Sequence, residues 1–149
     1  MSNIVKFKRL NENAIVPTKA DEGSNGFDLY YDGNTIYHLT LMQPAMVSTG
    51  IAVEMPPSVF AFITPRSGLA KRGLTIMNAP GLIDNSYRGE LKVIMNYLND
   101  DQKYRYFSIE PGDRIAQIVF LNQENYILEE VNILTETNRG ANGFGSTGR

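Results

Sequence analysis

Four separated stretches and a tail carry the side chains of this sequence that could do chemistry. In Asn78 to Glu90, NAPGLIDNSYRGE, a Gly/Pro-marked bend leads through an apolar pair to a carboxylate, Asp84, and then to an aromatic ring, Tyr87. A hairpin there offers backbone N–H and C=O groups to a planar ligand, flanked by that carboxylate and ring. The same Pro-Gly and Asp-Asn-Ser vocabulary also builds a plain hairpin tip. In PRSGLAKRG, residues 65–73, Ser67 is suited to the N-cap and Gly73 to the C′ position of one or two helical turns. Ser67 and Gly68 then present N–H groups to an anion, and the neighbouring Arg66 is either a surface charge or a phosphate clamp. Asp28 stands at a strand start in Asn25 to Leu29, and Asp113 and Arg114 stand at a corner that leads to Gln117 on a strand. Asp113 and Arg114 read equally as a structural pair. In the glycine-rich tail, Glu136 to Arg149, Arg139, Ser146 and Thr147 are parts for a phosphate and Phe144 is a lid for a ring, unless the tail is a disordered terminus.

These stretches need elements to hold them. Short runs with period-two alternation recur along the chain, broken by Gly, Pro, Asn and Asp. They predict strands over 4–8, 27–31, 36–41, 46–55, 59–64, 74–77, 90–98, 104–109, 114–121 and 126–134, with a short helix at 67–73. His38 falls in one such run and reads as a half-buried strand residue rather than a ligand. So many short strands with little helical periodicity point to an all-β barrel or jelly roll. The 149 residues suit one domain, with 42% hydrophobic and 20% charged residues, as in ordinary globular chains. A chain without cysteine has no disulfide and no thiolate chemistry, which is compatible with a cytoplasmic location. One histidine rules out a His-rich metal centre within one chain. A net charge of −2 and a pI near 5.4 speak against a broad basic face for nucleic acid, and no apolar run approaches the ~18 residues of a membrane span. The first residues, MSNIVKFKRL, lack the apolar core of a signal peptide. Walker and dinucleotide motifs do not fit, because GFGSTG neither follows a strand nor opens a helix.

In order and spacing the islands resemble the five motifs of the homotrimeric dUTP pyrophosphatases, the dUTPases: NGFDL (25–29), PRSGLA (65–70), GLIDNSYRGE (81–90), GDRIAQ (112–117) and RGANGFGSTG (139–148). Departures are small, with Asn25 in place of a smaller residue and Asn85-Ser86 as one variant of a tolerant pair. The resemblance implies a distorted jelly-roll β-barrel with one short helix over residues 1–135 and a flexible arm over 136–149 that closes over the active site. It implies a homotrimer whose three sites are each assembled from three chains. The implied reaction is hydrolysis of dUTP to dUMP and pyrophosphate with Mg2+, which keeps uracil out of DNA and supplies dUMP for thymidylate synthesis.

By the same resemblance Asp84 orients and deprotonates the water that attacks the α-phosphorus, and Tyr87 stacks on the deoxyribose. Asn78 and the hairpin backbone, Gly81 included, meet the uracil edge. Arg66, Ser67, Gly68 and Gln117 hold the phosphates. Mg2+ sits on the triphosphate oxygens, and Asp28 touches its waters. From the arm, Phe144 covers the uracil, while Arg139, Gly145, Ser146 and Thr147 complete the substrate contacts at the γ-phosphate end. A set of Asp, Ser, Arg and Gln without a covalent nucleophile suffices for phosphoryl chemistry, which needs positioning and charge neutralisation. Other readings are a related dCTP deaminase, a non-enzymatic dUTP sensor with the arm as its switch, and an oligonucleotide-binding β-barrel. Ammonia release, binding without turnover and a salt-sensitive basic groove would respectively distinguish them.

Overall fold

The computed structural model describes residues 4–99 and 105–142. Among these, eleven short strands and one four-residue helix run in the order β1 (Lys6–Arg9), β2 (Phe27–Tyr30), β3 (Tyr37–Thr40), β4 (Ala45–Val47), β5 (Ile51–Glu54), β6 (Val59–Thr64), α1 (Ser67–Ala70), β7 (Leu74–Ile76), β8 (Gly81–Ile83), β9 (Val93–Tyr97), β10 (Tyr106–Ile109) and β11 (Arg114–Asn122). The all-β expectation with one short helix is therefore met. Every pairing between these strands is antiparallel, and they form a four-stranded sheet β2-β11-β6-β8, a three-stranded sheet β4-β9-β7, and the pairs β1-β5 and β10-β3.

Alternation explains the core. Along β6, Val59, Ala61 and Ile63 are buried while Phe60, Phe62 and Thr64 are half-buried, as a strand with one face on the core requires. Leu29, Leu39, Ile51, Leu74, Leu91, Met95, Ile115 and Ile118 meet in the same core. Buried Asp32 is satisfied within it, accepting a hydrogen bond from Asn11 Nδ2 at 2.6 Å and another from the Ser48 hydroxyl. Next to it, burial and the Asp32 carboxylate both raise the pKa of Tyr31.

Several expectations are corrected. The predicted strand over 46–55 is two strands, β4 and β5, because the chain turns at Gly50, whose φ is +64°. Its two halves pair with different partners, β9 and β1. Gly81–Ile83, expected to be hairpin loop, is a strand paired with β6. The N-cap of α1 is Arg66, not Ser67, and no side chain caps it. The predicted strand over 126–134 is not one. Its apolar residues find no partner strand among the described residues, and Ile127 and Leu128 are 95% and 98% exposed.

Candidate active site

The sheet β2-β11-β6-β8 carries the predicted site residues on either side of one strand, β6. At the C-terminal end of β6, Gln117 of β11 lies opposite Thr64 and also opposite Asp28 of β2. This register brings three of the sequence islands together. Gln117 Nε2 donates to the Pro65 carbonyl at 3.1 Å. Its side chain fits there because residue 26 is glycine, where a Cβ would come within 2.8 Å of the Gln117 amide oxygen. Asp28, 8% exposed, accepts from Arg66 Nε at 2.9 Å on one oxygen and from Arg114 at 3.3 Å on the other. Arg66 also donates to the Arg114 carbonyl at 3.1 Å. The buried carboxylate therefore has a cation on each oxygen, and it fixes both guanidinium groups beside α1.

This settles the role of the Asp113-Arg114 corner. The two do not pair with each other: Arg114 serves Asp28, and the Asp113 carboxylate accepts from the Glu110 N–H at 2.9 Å within its own turn. Ser67 and Gly68 are exposed, and none of the described hydrogen bonds engages their N–H groups. A Cβ at Gly68 would meet nothing within 4 Å, so any close approach to that backbone must come from outside this chain's described residues. A polar pocket of about 430 Å3 opens alongside, lined by Arg66, Arg72, Arg114, Glu110 and Asp113. Its guanidinium groups favour an anion.

The hairpin side is built differently. Gly81 faces Ile63, and the Asn78 amide packs over it, 3.2 Å from where a Cβ would stand. Ile83 faces Ala61, nearer the other end of β6, and Asp84 follows. Asp84 is exposed, and its carboxylate makes no hydrogen bond or ion pair among the described residues. Its backbone closes a turn, with the Tyr87 N–H donating to the Asp84 carbonyl at 3.0 Å. The Tyr87 ring lies over Gly89, and its hydroxyl donates to the Glu90 carbonyl at 2.9 Å. With that bond made, Tyr87 remains 43% exposed.

Asn85 was missed as anything but a tolerant turn residue. It is half-buried, and its amide nitrogen donates to the carbonyls of Pro56, Val59 and Met55, the last two at 3.0 and 3.2 Å. Its signal was only a polar turn residue, because the carbonyls it meets lie 26–30 positions away in sequence.

Asp84 and Ser67 do not meet in one chain by way of this sheet. Ile83 faces Ala61 and Gln117 faces Thr64, a step of about 10 Å along β6 at ~3.3 Å per residue, with Asp84 and Ser67 following its two ends in sequence. Arg139 sits in an exposed turn and donates from Nε to the Asn142 carbonyl at 3.1 Å, while Phe144, Gly145, Ser146 and Thr147 lie outside the described residues. Among the described residues no group of three His, Cys, Asp or Glu side chains could hold a metal. Both Asp28 oxygens are already engaged by arginines.

Comparison with known proteins follows the same outline. The family model described as dUTPase matches residues 12–148. The chain is 44% identical over 144 residues to the deoxyuridine 5'-triphosphate nucleotidohydrolase of Clostridium novyi (strain NT), covering 95% of this chain and 96% of the relative. It is 46% identical over 146 residues to the enzyme of that name from Rickettsia akari (strain Hartford), covering 97% and 96%. Among solved structures it is similar to a dUTPase of Staphylococcus bacteriophage 80alpha determined with dUPNHPP, with a TM-score of 0.88, 27% identity, and coverage of 99% of this chain and 100% of that one.

Proposed function

This chain belongs to the dUTPase family and hydrolyses dUTP, and on that premise we propose how its residues divide the reaction. Asp84 takes the proton from the water that attacks the α-phosphorus, and its lack of any partner among the described residues supports that role. The exposed face of Tyr87 packs on the deoxyribose. Asn78 and the backbone around Gly81 meet the uracil edge, where a hydrogen-bonding site rejects cytosine by leaving polar groups unpaired. Arg66, Ser67, Gly68 and Gln117 hold the phosphates, supported by the two guanidinium groups fixed on Asp28. When bound, Mg2+ would neutralise charge on the triphosphate, and Asp28 would accept hydrogen bonds from its waters. Arg139, Phe144, Gly145, Ser146 and Thr147 close over the nucleotide as the arm of residues 136–149. We extend this to a jelly-roll barrel in a cytoplasmic homotrimer.

The observation that carries the function is the family match across residues 12–148. The shared site is supported by β6, whose length separates the Asp84 side from the Ser67 side, so that one chain's sheet does not bring the two together. Assembly is further supported by the exposed apolar residues over 126–134 and by a groove of about 610 Å3 lined by Ile4, Phe7, Pro17, Phe27, Phe120 and Leu121. Incubation with each deoxynucleoside triphosphate or with UTP, in the presence of Mg2+ and with pyrophosphate measured, tests the reading. Pyrophosphate is expected from dUTP, and equal release from dTTP or UTP would refute it.

A further inference from the structure

Among the described residues the Asp84 carboxylate has no partner, and no side-chain contact of its own fixes the turn that bears it. A general base gains its effect from being held near one geometry, so something must hold this backbone. The next residue does. Asn85 directs one amide nitrogen at three carbonyl oxygens, those of Met55, Pro56 and Val59, where β5 passes into β6. Three acceptors require the NH2 group to face them rather than the amide oxygen, which fixes the side chain's orientation. Met55 and Val59 are each 3% exposed, so two of the three anchor points belong to the core, while Pro56 is half-buried. On the outer side Arg88 donates to the Asn85 carbonyl at 2.6 Å and to the Tyr87 carbonyl at 2.9 Å, bracing the same turn from solvent.

We propose that Asn85 is a positioning residue: its amide ties the turn bearing Asp84 to the rigid β5–β6 connection and so sets where the water-activating carboxylate stands. The proposal rests on Asp84 being the base. It places part of the catalytic geometry in a residue that touches neither water nor nucleotide, and it makes the Met55–Val59 connection the reference frame for the attack.

The test is a double-mutant cycle on kcat, with analogue affinity measured beside it. Asn85→Ala, Asp84→Asn and the double variant are assayed by single turnover with Mg2+ and dUTP, and affinity is measured with a non-hydrolysable dUTP analogue. Asn85→Ala is expected to lower kcat about 10- to 100-fold while analogue affinity stays within about twofold. In the Asp84→Asn background the same substitution is expected to cost nothing further, because there is no base left to misplace. A kcat for Asn85→Ala within about twofold of wild type overturns the proposal, and so does an equal fractional loss in both backgrounds, which would mark a general structural effect. Near wild-type turnover by Asp84→Asn alone would instead remove Asp84 as base, an outcome read on a variant with Asn85 intact. If Asn85→Ala does not fold, Asn85→Ser, which keeps one donor, takes its place in the same cycle with the same criteria.

Discussion

Asp28 and Asp84 are both carboxylates on or beside one sheet, yet Asp28 is buried between two arginines and Asp84 is exposed with no side-chain partner among the described residues. The difference follows from what each must do. Asp28 makes two mutually repelling guanidinium groups stand together, which requires a fixed charge on both oxygens and little competing water. In the proposed mechanism Asp84 accepts a proton, and an arginine on its oxygens would weaken it as a base. The phosphate side is thus built by side chains pairing with side chains, and the hairpin side by a backbone that is pinned while its functional group stays open.

That contrast can be broken most sharply at Asp84. Asp84→Asn keeps the shape and removes the basicity, so kcat should fall roughly 10²- to 10⁴-fold with analogue affinity little changed. Stopped-flow binding and steady-state turnover on the same preparation will separate the two quantities.

On the other side, Arg66→Ala leaves Asp28 with Arg114 alone and removes the bond to the Arg114 carbonyl. Here KM is expected to rise about 10- to 100-fold, with a stability loss of about 1–3 kcal/mol in urea unfolding. A change in kcat with KM untouched would mean that the two sides are not separable in this way.

Mixing chains asks whether the two sides belong to different protomers. Asp84→Ala with an intact arm, co-expressed in equal amounts with a chain truncated after Asn138 that retains Asp84, should recover roughly a quarter of wild-type activity if each site takes its base and its arm from different chains. Heterotrimers confirmed by mass, with activity no higher than the parents, would refute the shared site.

The smallest effect lies far from both sides, at the pair Lys6–Glu54 joining β1 to β5 at 2.7 Å. Hydrogen bonding to Lys6 holds the Glu54 carboxyl below its usual value. Its contribution is present above the unfolded carboxylate pKa and disappears as the pH falls through the lowered folded value. Lys6→Ala should therefore lower Tm slightly near neutral pH and not at all in strong acid, while kcat stays constant. Thermal melts across that range will read it.

How legible all this is in the sequence depends on the range of the interaction. Alternation over 59–64 delivers β6 residue for residue, because burial on one face is a local pattern. The same alternation over 126–134 predicts a strand that the described structure does not contain. Period two reports a face that wants covering, not whether this chain covers it. Over 46–55 the pattern runs through Gly50 unbroken, and only the φ of that residue and two different partner strands divide it. Ser67 satisfies the composition of an N-cap without serving as one. In the site, Asp28, Arg66 and Gln117 could be nominated singly, but their association depends on the register of β11 against β2 and β6. Asn85 was illegible because its partners are backbone carbonyls, which carry no residue identity to search for.

The exposed run from Tyr126 to Leu134 has a consequence for how this protein should be handled. Tyr126, Ile127, Leu128, Ile133 and Leu134 are all at least 80% exposed in the single chain. In the proposed homotrimer a neighbouring chain covers such apolar area, and mass action then enters the folding equilibrium. Heating a dilution series should give a melting temperature that climbs with protein concentration, and dilute stocks should lose activity on storage before they lose secondary structure.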